Sequence, residues 1–283
     1  MGLGGLKTTW QRQTKDFGHT RASTYSVLIY DNRGMGASSK PMGRYSTSEM
    51  AQDAVELLDH IGWTSPRSVH ALGISMGGMI AQELGLIIPN RLASLSLIST
   101  AARIKNTVGY FENLWNRFSM FIPKSPDASL AMAKRNMFTD KWLLEPDVLA
   151  TESVEKPFPS NGDRIGASEL QKRMDTVLFP RHGLICQAIA AGWHHKTDAD
   201  LMRLGEAVGL ERILVIHGTQ DRMITFPHVG VLLNGLRGER AETTGPGGCI
   251  YHEVKDMGHV VPIEIRDTFK EWVEELVEKV EKL

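Results

Sequence analysis

Gly73-Ile74-Ser75-Met76-Gly77 places a serine midway between two glycines. A serine hydroxyl can attack an acyl carbon, but only if its backbone presents it on a sharp turn and a base removes its proton. The flanking glycines fit such a turn, because without a Cβ two backbone segments can pass closely. A helix starting directly after the serine would aim free N–H groups, and the positive end of its dipole, at the reacting carbonyl.

A base and an orienting carboxylate must then come from elsewhere. The chain has ten histidines, so position has to select among them. Asp221 follows the apolar run 213–217, and His259 follows the run 250–254. Both would project from the strand ends on Ser75's side of a parallel sheet. The rival carboxylates are Asp200, Glu211 and Asp256, the last too close to His259 to come from a separate strand end. His217 and His252 lie within or at the ends of strands, where core or supporting roles are expected. His194 and the neighbouring Trp193 are candidates for substrate contact, with a structural role weighed more heavily for His194.

The elements that must position these groups alternate. Residues 26–31 read as a buried strand running into the turn at residues 32–36. Residues 45–61 have helix period, with Ala51, Ala54, Val55, Leu58 and Ile61 on one face and Gly62 at the end. Strands are expected at 68–74, 92–98, 213–217 and 250–254. Helices are expected at 76–88, stopped by Pro89, and at 263–280. Alternation of this kind predicts a mostly parallel sheet covered on both faces. From about 101 the alternation stops and only helical patterns follow. Val108, Phe111, Trp115, Phe118 and Ile122 form an aromatic stripe at helical spacing. An insertion there would cap the carboxyl edge of the sheet, where open α/β folds bind ligands. Trp115 and Phe118 could line a pocket or pack the cap on the core. The division expected is core 1–100, cap 101–205 and core 206–283.

Four blocks in this order resemble the α/β-hydrolase superfamily: Asp31-Asn-Arg-Gly-Met-Gly-Ala-Ser38, the glycine–serine–glycine turn, His217-Gly-Thr-Gln-Asp221 and Gly258-His259. Within it the chain looks most like capped esterases and lactonases, including hydrolases of fungal secondary metabolism. A serine at the turn sets it apart from the dehalogenases and epoxide hydrolases, which use aspartate there. The resemblance implies a Ser75–His259–Asp221 triad. It implies an oxyanion hole from the amides of Met76 and Leu3, since Met1-Gly2-Leu3-Gly4-Gly5 matches the family's His-Gly-x-x-Gly loop with Met1 in place of the histidine. It also implies three strands ahead of that loop. The sequence begins at the loop, which suggests a late start to the chain. The strand at 26–31 and the strand at 68–74 must then pair directly or leave a gap between them.

Composition bounds the function. Net charge is −1, with 42% apolar and 23% charged residues, so neither a nucleic acid nor an anionic membrane surface is an expected partner. The two cysteines, Cys186 and Cys249, sit in no zinc-binding spacing, and no metal or organic cofactor is expected. Absence of a leader-like segment or apolar span suggests a cytoplasmic protein. The expected activity is hydrolysis of a small ester, lactone or thioester through an acyl-enzyme. The alternatives are carbon–carbon bond hydrolysis, acyl transfer with the same groups, or a hydrolase-fold protein that only binds its ligand.

Overall fold

The computed structural model describes residues 1–105, 125–147, 158–238 and 248–283. Trp115 and Phe118, with the rest of the aromatic stripe, lie outside the described residues. Four strands form one parallel sheet: β1 (Val69–Ile74), β2 (Leu92–Ile98), β3 (Ile213–Gly218) and β4 (Ile250–Val254), in that order across the sheet. Every residue of β2 and β3 is buried, as expected for central strands covered on both faces.

The helix pattern of residues 45–61 is realised as α1 (Thr47–His60). Ser46 caps it, its hydroxyl accepting from the Glu49 N–H while the Glu49 carboxylate accepts from the Ser46 N–H. Its apolar face packs on α2 (Met76–Ile87), which descends from the serine turn. On the opposite face of the sheet, α9 (Arg266–Val280) buries Phe269, Val273, Leu276 and Val280 against Ile98, Leu214 and Ile216.

Between β2 and β3 the described residues are helical: α3 (Pro126–Met137), α4 (Asp140–Leu144), α5 (Asn161–Met174), α6 (Arg181–Trp193) and α7 (Asp198–Val208). The last of these differs from the division read in the sequence. Position 205 falls inside α7, and Leu201, Leu204 and Val208 are fully buried with Leu232 and Leu236 of α8 (Pro227–Arg237). A boundary at 205 would cut a helix that belongs to the core.

Residues 26–31 also depart from expectation. They join no sheet, and residues 26–30 form no backbone hydrogen bond with any described residue. A cavity of about 850 Å³ separates them from the outer edge of β1, with Leu28, Tyr30, Val69, Ala71 and Leu72 among its walls. Of the two outcomes the sequence allowed, the gap is the one that forms. The apolar run is genuine, but a strand exists only through its neighbour, and neither row of backbone groups here has one.

Candidate active site

Ser75 closes β1 and opens α2 in a strained conformation, φ 58° and ψ −124°. A non-glycine residue holds such angles only when its surroundings impose them. Here its N–H donates to Ile98 O at 2.9 Å, and its carbonyl accepts from Thr100 Oγ1 at 2.7 Å. Gly73 is required by close approach, since a Cβ there would lie 2.2 Å from Gly77 O. The predicted turn is therefore present, and its serine side chain stands at the carboxyl edge of the sheet.

Two strands further across, the loop after β3 carries Asp221 and the loop after β4 carries His259. Both residues are buried, and His259 Nδ1 lies 2.7 Å from Asp221 Oδ2. The other oxygen of Asp221 accepts from the N–H groups of Met223 (2.8 Å) and Ile224 (2.9 Å), so the carboxylate cannot rotate away. His217 Nε2 lies 3.5 Å from the same Oδ2 of Asp221. Burial holds its imidazole below the usual histidine range, and its Nε2 pairs with Ile224 O at 2.8 Å, which closes the same turn. With Nδ1 of His259 committed to Asp221, Nε2 is its free position. Ser75 Oγ has no hydrogen-bond partner among the described residues.

The backbone of the His259 loop is gripped from two directions. Met137 O, at the end of α3, accepts from the N–H groups of His259 (3.0 Å) and Val260 (3.1 Å). The buried carboxyl of Glu264 accepts from Gly258 N at 2.8 Å and from Thr139 Oγ1 at 2.9 Å. Burial raises the Glu264 carboxyl above its ordinary value, and these hydrogen bonds oppose the rise. Sequence reasoning passed over Glu264. The signal was present: one acid inside the apolar run Val260-Val-Pro-Ile-Glu-Ile265.

Met1 to Gly5 form a turn beside Ser75, closed by Gly5 N–H to Gly2 O at 3.0 Å. A Cβ on Gly2 would lie 3.4 Å from that of Ser75. The amides of Leu3 and Met76 have no acceptor among the described residues. For Met76 this is inherent in the first position of a helix.

The two other proposed contact residues are placed elsewhere. Trp193 is 63% exposed, with the Arg44 guanidinium 3.7 Å over its ring. His194 is buried in a polar cluster, with Nδ1 2.9 Å from Thr47 Oγ1, beside the ion pair of Glu83 and Lys196 at 2.6 Å. Burial, with Lys196 and His195 nearby, pushes its pKa down to about 3. Both residues end α6, whose final turn points one side chain to solvent and the next into the join with the core. Neither is brought to Ser75. Among the described residues no group of three or more histidine, cysteine or acidic side chains could hold a metal ion, and no helix is long and apolar enough to cross a membrane.

Residues 2–260 match the α/β hydrolase fold family. The chain belongs to that family. It is 38% identical over 102 residues, 36% of each chain, to 3-oxoadipate enol-lactonase 2 of Acinetobacter baylyi. It is 26% identical over 257 residues to rhodomycin D methylesterase of Streptomyces peucetius, 87% of this chain and 79% of that one. The enol-lactonase structure from Burkholderia xenovorans superimposes with a TM-score of 0.68 at 22% identity, over 98% of this chain and 88% of that one. The chain spans 62% and 36% of the length of two of the curated relatives it matches.

Proposed function

We propose that the protein hydrolyses an ester or lactone of a small organic molecule with Ser75 as nucleophile, His259 as base and Asp221 as its orienting carboxylate. The observation that carries this reading is the 2.7 Å His259–Asp221 pair, set at the same sheet edge as a serine held in a strained turn. The helices between β2 and β3 serve as the cap, and a small-molecule ester is the only partner the reaction needs. Ser75 Oγ bonds to the substrate carbonyl carbon while the carbonyl π pair moves onto oxygen, and His259 Nε2 takes the serine proton. The N–H groups of Met76 and Leu3 form the oxyanion hole. Collapse expels the alkoxide, which takes the proton from His259. A water, deprotonated by His259, then attacks the acyl carbon, and the acid leaves as Ser75 recovers its proton. The Ser75–His259 hydrogen bond forms as the acyl group is seated, in keeping with the looseness of such contacts before substrate binds.

Turnover of p-nitrophenyl acyl esters in ¹⁸O-water tests the reaction. One ¹⁸O in the released acid, and turnover lost in Ser75→Ala, is the expected result. Persistent turnover in Ser75→Ala would remove Ser75 from the role. Acyl groups passed to an added alcohol in preference to water would identify a transferase.

A further inference from the structure

Gln187 is fully buried in the middle of α6, far in sequence from any reacting group. Its carboxamide is used at both ends. Oε1 accepts from the Gly4 N–H at 2.9 Å, and Nε2 donates to Arg33 O at 2.9 Å. One side chain of the cap thus joins the loop beside Ser75 to the loop that follows residues 26–31.

The backbones around it are correspondingly close. A Cβ on Gly183 would fall 1.9 Å from Gly34 O, so α6 lies directly on the second loop. Gly4 packs against Leu184 and Phe179, where a Cβ would meet them at 2.9 and 3.0 Å. Gly4 has φ +63°, the sign a type II turn needs at its third residue. Such a turn can flip the peptide unit between its two central residues, here Leu3 and Gly4. After a flip the Leu3 carbonyl oxygen would face Oε1 of Gln187, an acceptor against an acceptor in a buried place. The bond from Gly4 N–H therefore selects one orientation. The Leu3 N–H, on the preceding peptide unit of the same turn, has no acceptor among the described residues.

We propose that Gln187 is a positioning residue: by holding the Gly4 amide it fixes the Leu3 N–H for the oxyanion, so that the cap helix and the oxyanion loop act as one unit. The inference rests on the hydrolase reading above. Its effect is on the transition state, where the oxyanion exists, and not on ground-state binding.

The test is steady-state kinetics on a p-nitrophenyl ester, with active sites counted by the end point of fluorophosphonate labelling. Gln187→Leu keeps roughly the volume and removes both hydrogen bonds. It should lower kcat per labelled site about tenfold to a hundredfold, below or at the edge of the loss on deleting an oxyanion donor, with KM within about twofold. Gln187→Glu, protonated on the oxygen that faces Arg33 O, still accepts from Gly4 N–H and donates to Arg33 O, and below the pKa of that buried acid it should retain most of the parent kcat. A purely structural side chain would instead reduce the number of labelled sites and leave kcat per site unchanged. That result, or equal losses in Gln187→Leu and Gln187→Glu, overturns the proposal. A parent protein that the probe does not label at Ser75 removes the hydrolase reading, and this proposal with it.

Discussion

The two halves of the site are held by different kinds of structure. Ser75, Asp221 and His259 leave the ends of β1, β3 and β4, with β2 between the first two. Their backbones are fixed by strand pairing and by the Ile98, Thr100, Met137 and Glu264 contacts. Among the described residues no strand carries the loop that holds Leu3. This loop is held by the turn at Gly2–Gly5 and by Gln187 of an inserted helix, while the chain following it runs unpaired beside the outer edge of β1. On the proposed reading, Ser75, Met76 and Asp221 are anchored to the sheet, whereas the His259 loop, through Met137, and the Leu3 loop, through Gln187, also lean on the inserted helices. Damage to α6 should therefore reach the Leu3 amide before it reaches the Ser75 turn or Asp221.

Three experiments bear on this contrast, beginning with the largest expected effect. Asp221→Asn should lower kcat by about 10⁴-fold with little change in fold, because an amide no longer selects the His259 tautomer that leaves Nε2 free. A loss below about tenfold would show that the sheet-anchored half does not work as described. Hydrogen exchange measures the contrast in the backbone itself. Amides of residues 95–98, buried and doubly paired in β2, should exchange about 10³-fold or more slowly than those of residues 27–30. Equal protection would mean that the edge of β1 is covered in solution. The smallest effect concerns the join between cap and core. The folded pKa of His194, about 3, lies below its unfolded value of 6.5. Its contribution is thus fully present above 6.5, and stability is lost as pH falls from there toward 3. Thr47, Glu83, His195 and Lys196 surround it. Melting temperature against pH should decline less steeply below 6.5 in His194→Gln than in the parent. Superimposable slopes would contradict the burial argument.

Much of this was legible in the sequence because it is local. Helix period gave α1, the bounded apolar runs gave all four strands, and glycine spacing gave the turn at Ser75. Asp221 and His259 could be singled out because both follow such runs. What could not be read depends on partners distant in the chain. Residues 26–31 have a strand's composition, but pairing is a property of two segments. Gln187 meets a residue 183 positions away, and Glu264 meets Thr139 across 125. No period or motif encodes either meeting. Trp193 and His194 are adjacent in sequence yet point to solvent and core respectively, a difference set by the packing of α6.

The central claim is that Ser75 is the nucleophile. Reaction of the protein with a fluorophosphonate, followed by mass mapping of the adduct, tests it most directly. One adduct per chain is expected, on Ser75 Oγ, absent in Ser75→Ala and slowed in His259→Ala. An adduct elsewhere, or labelling that survives Ser75→Ala, would contradict it.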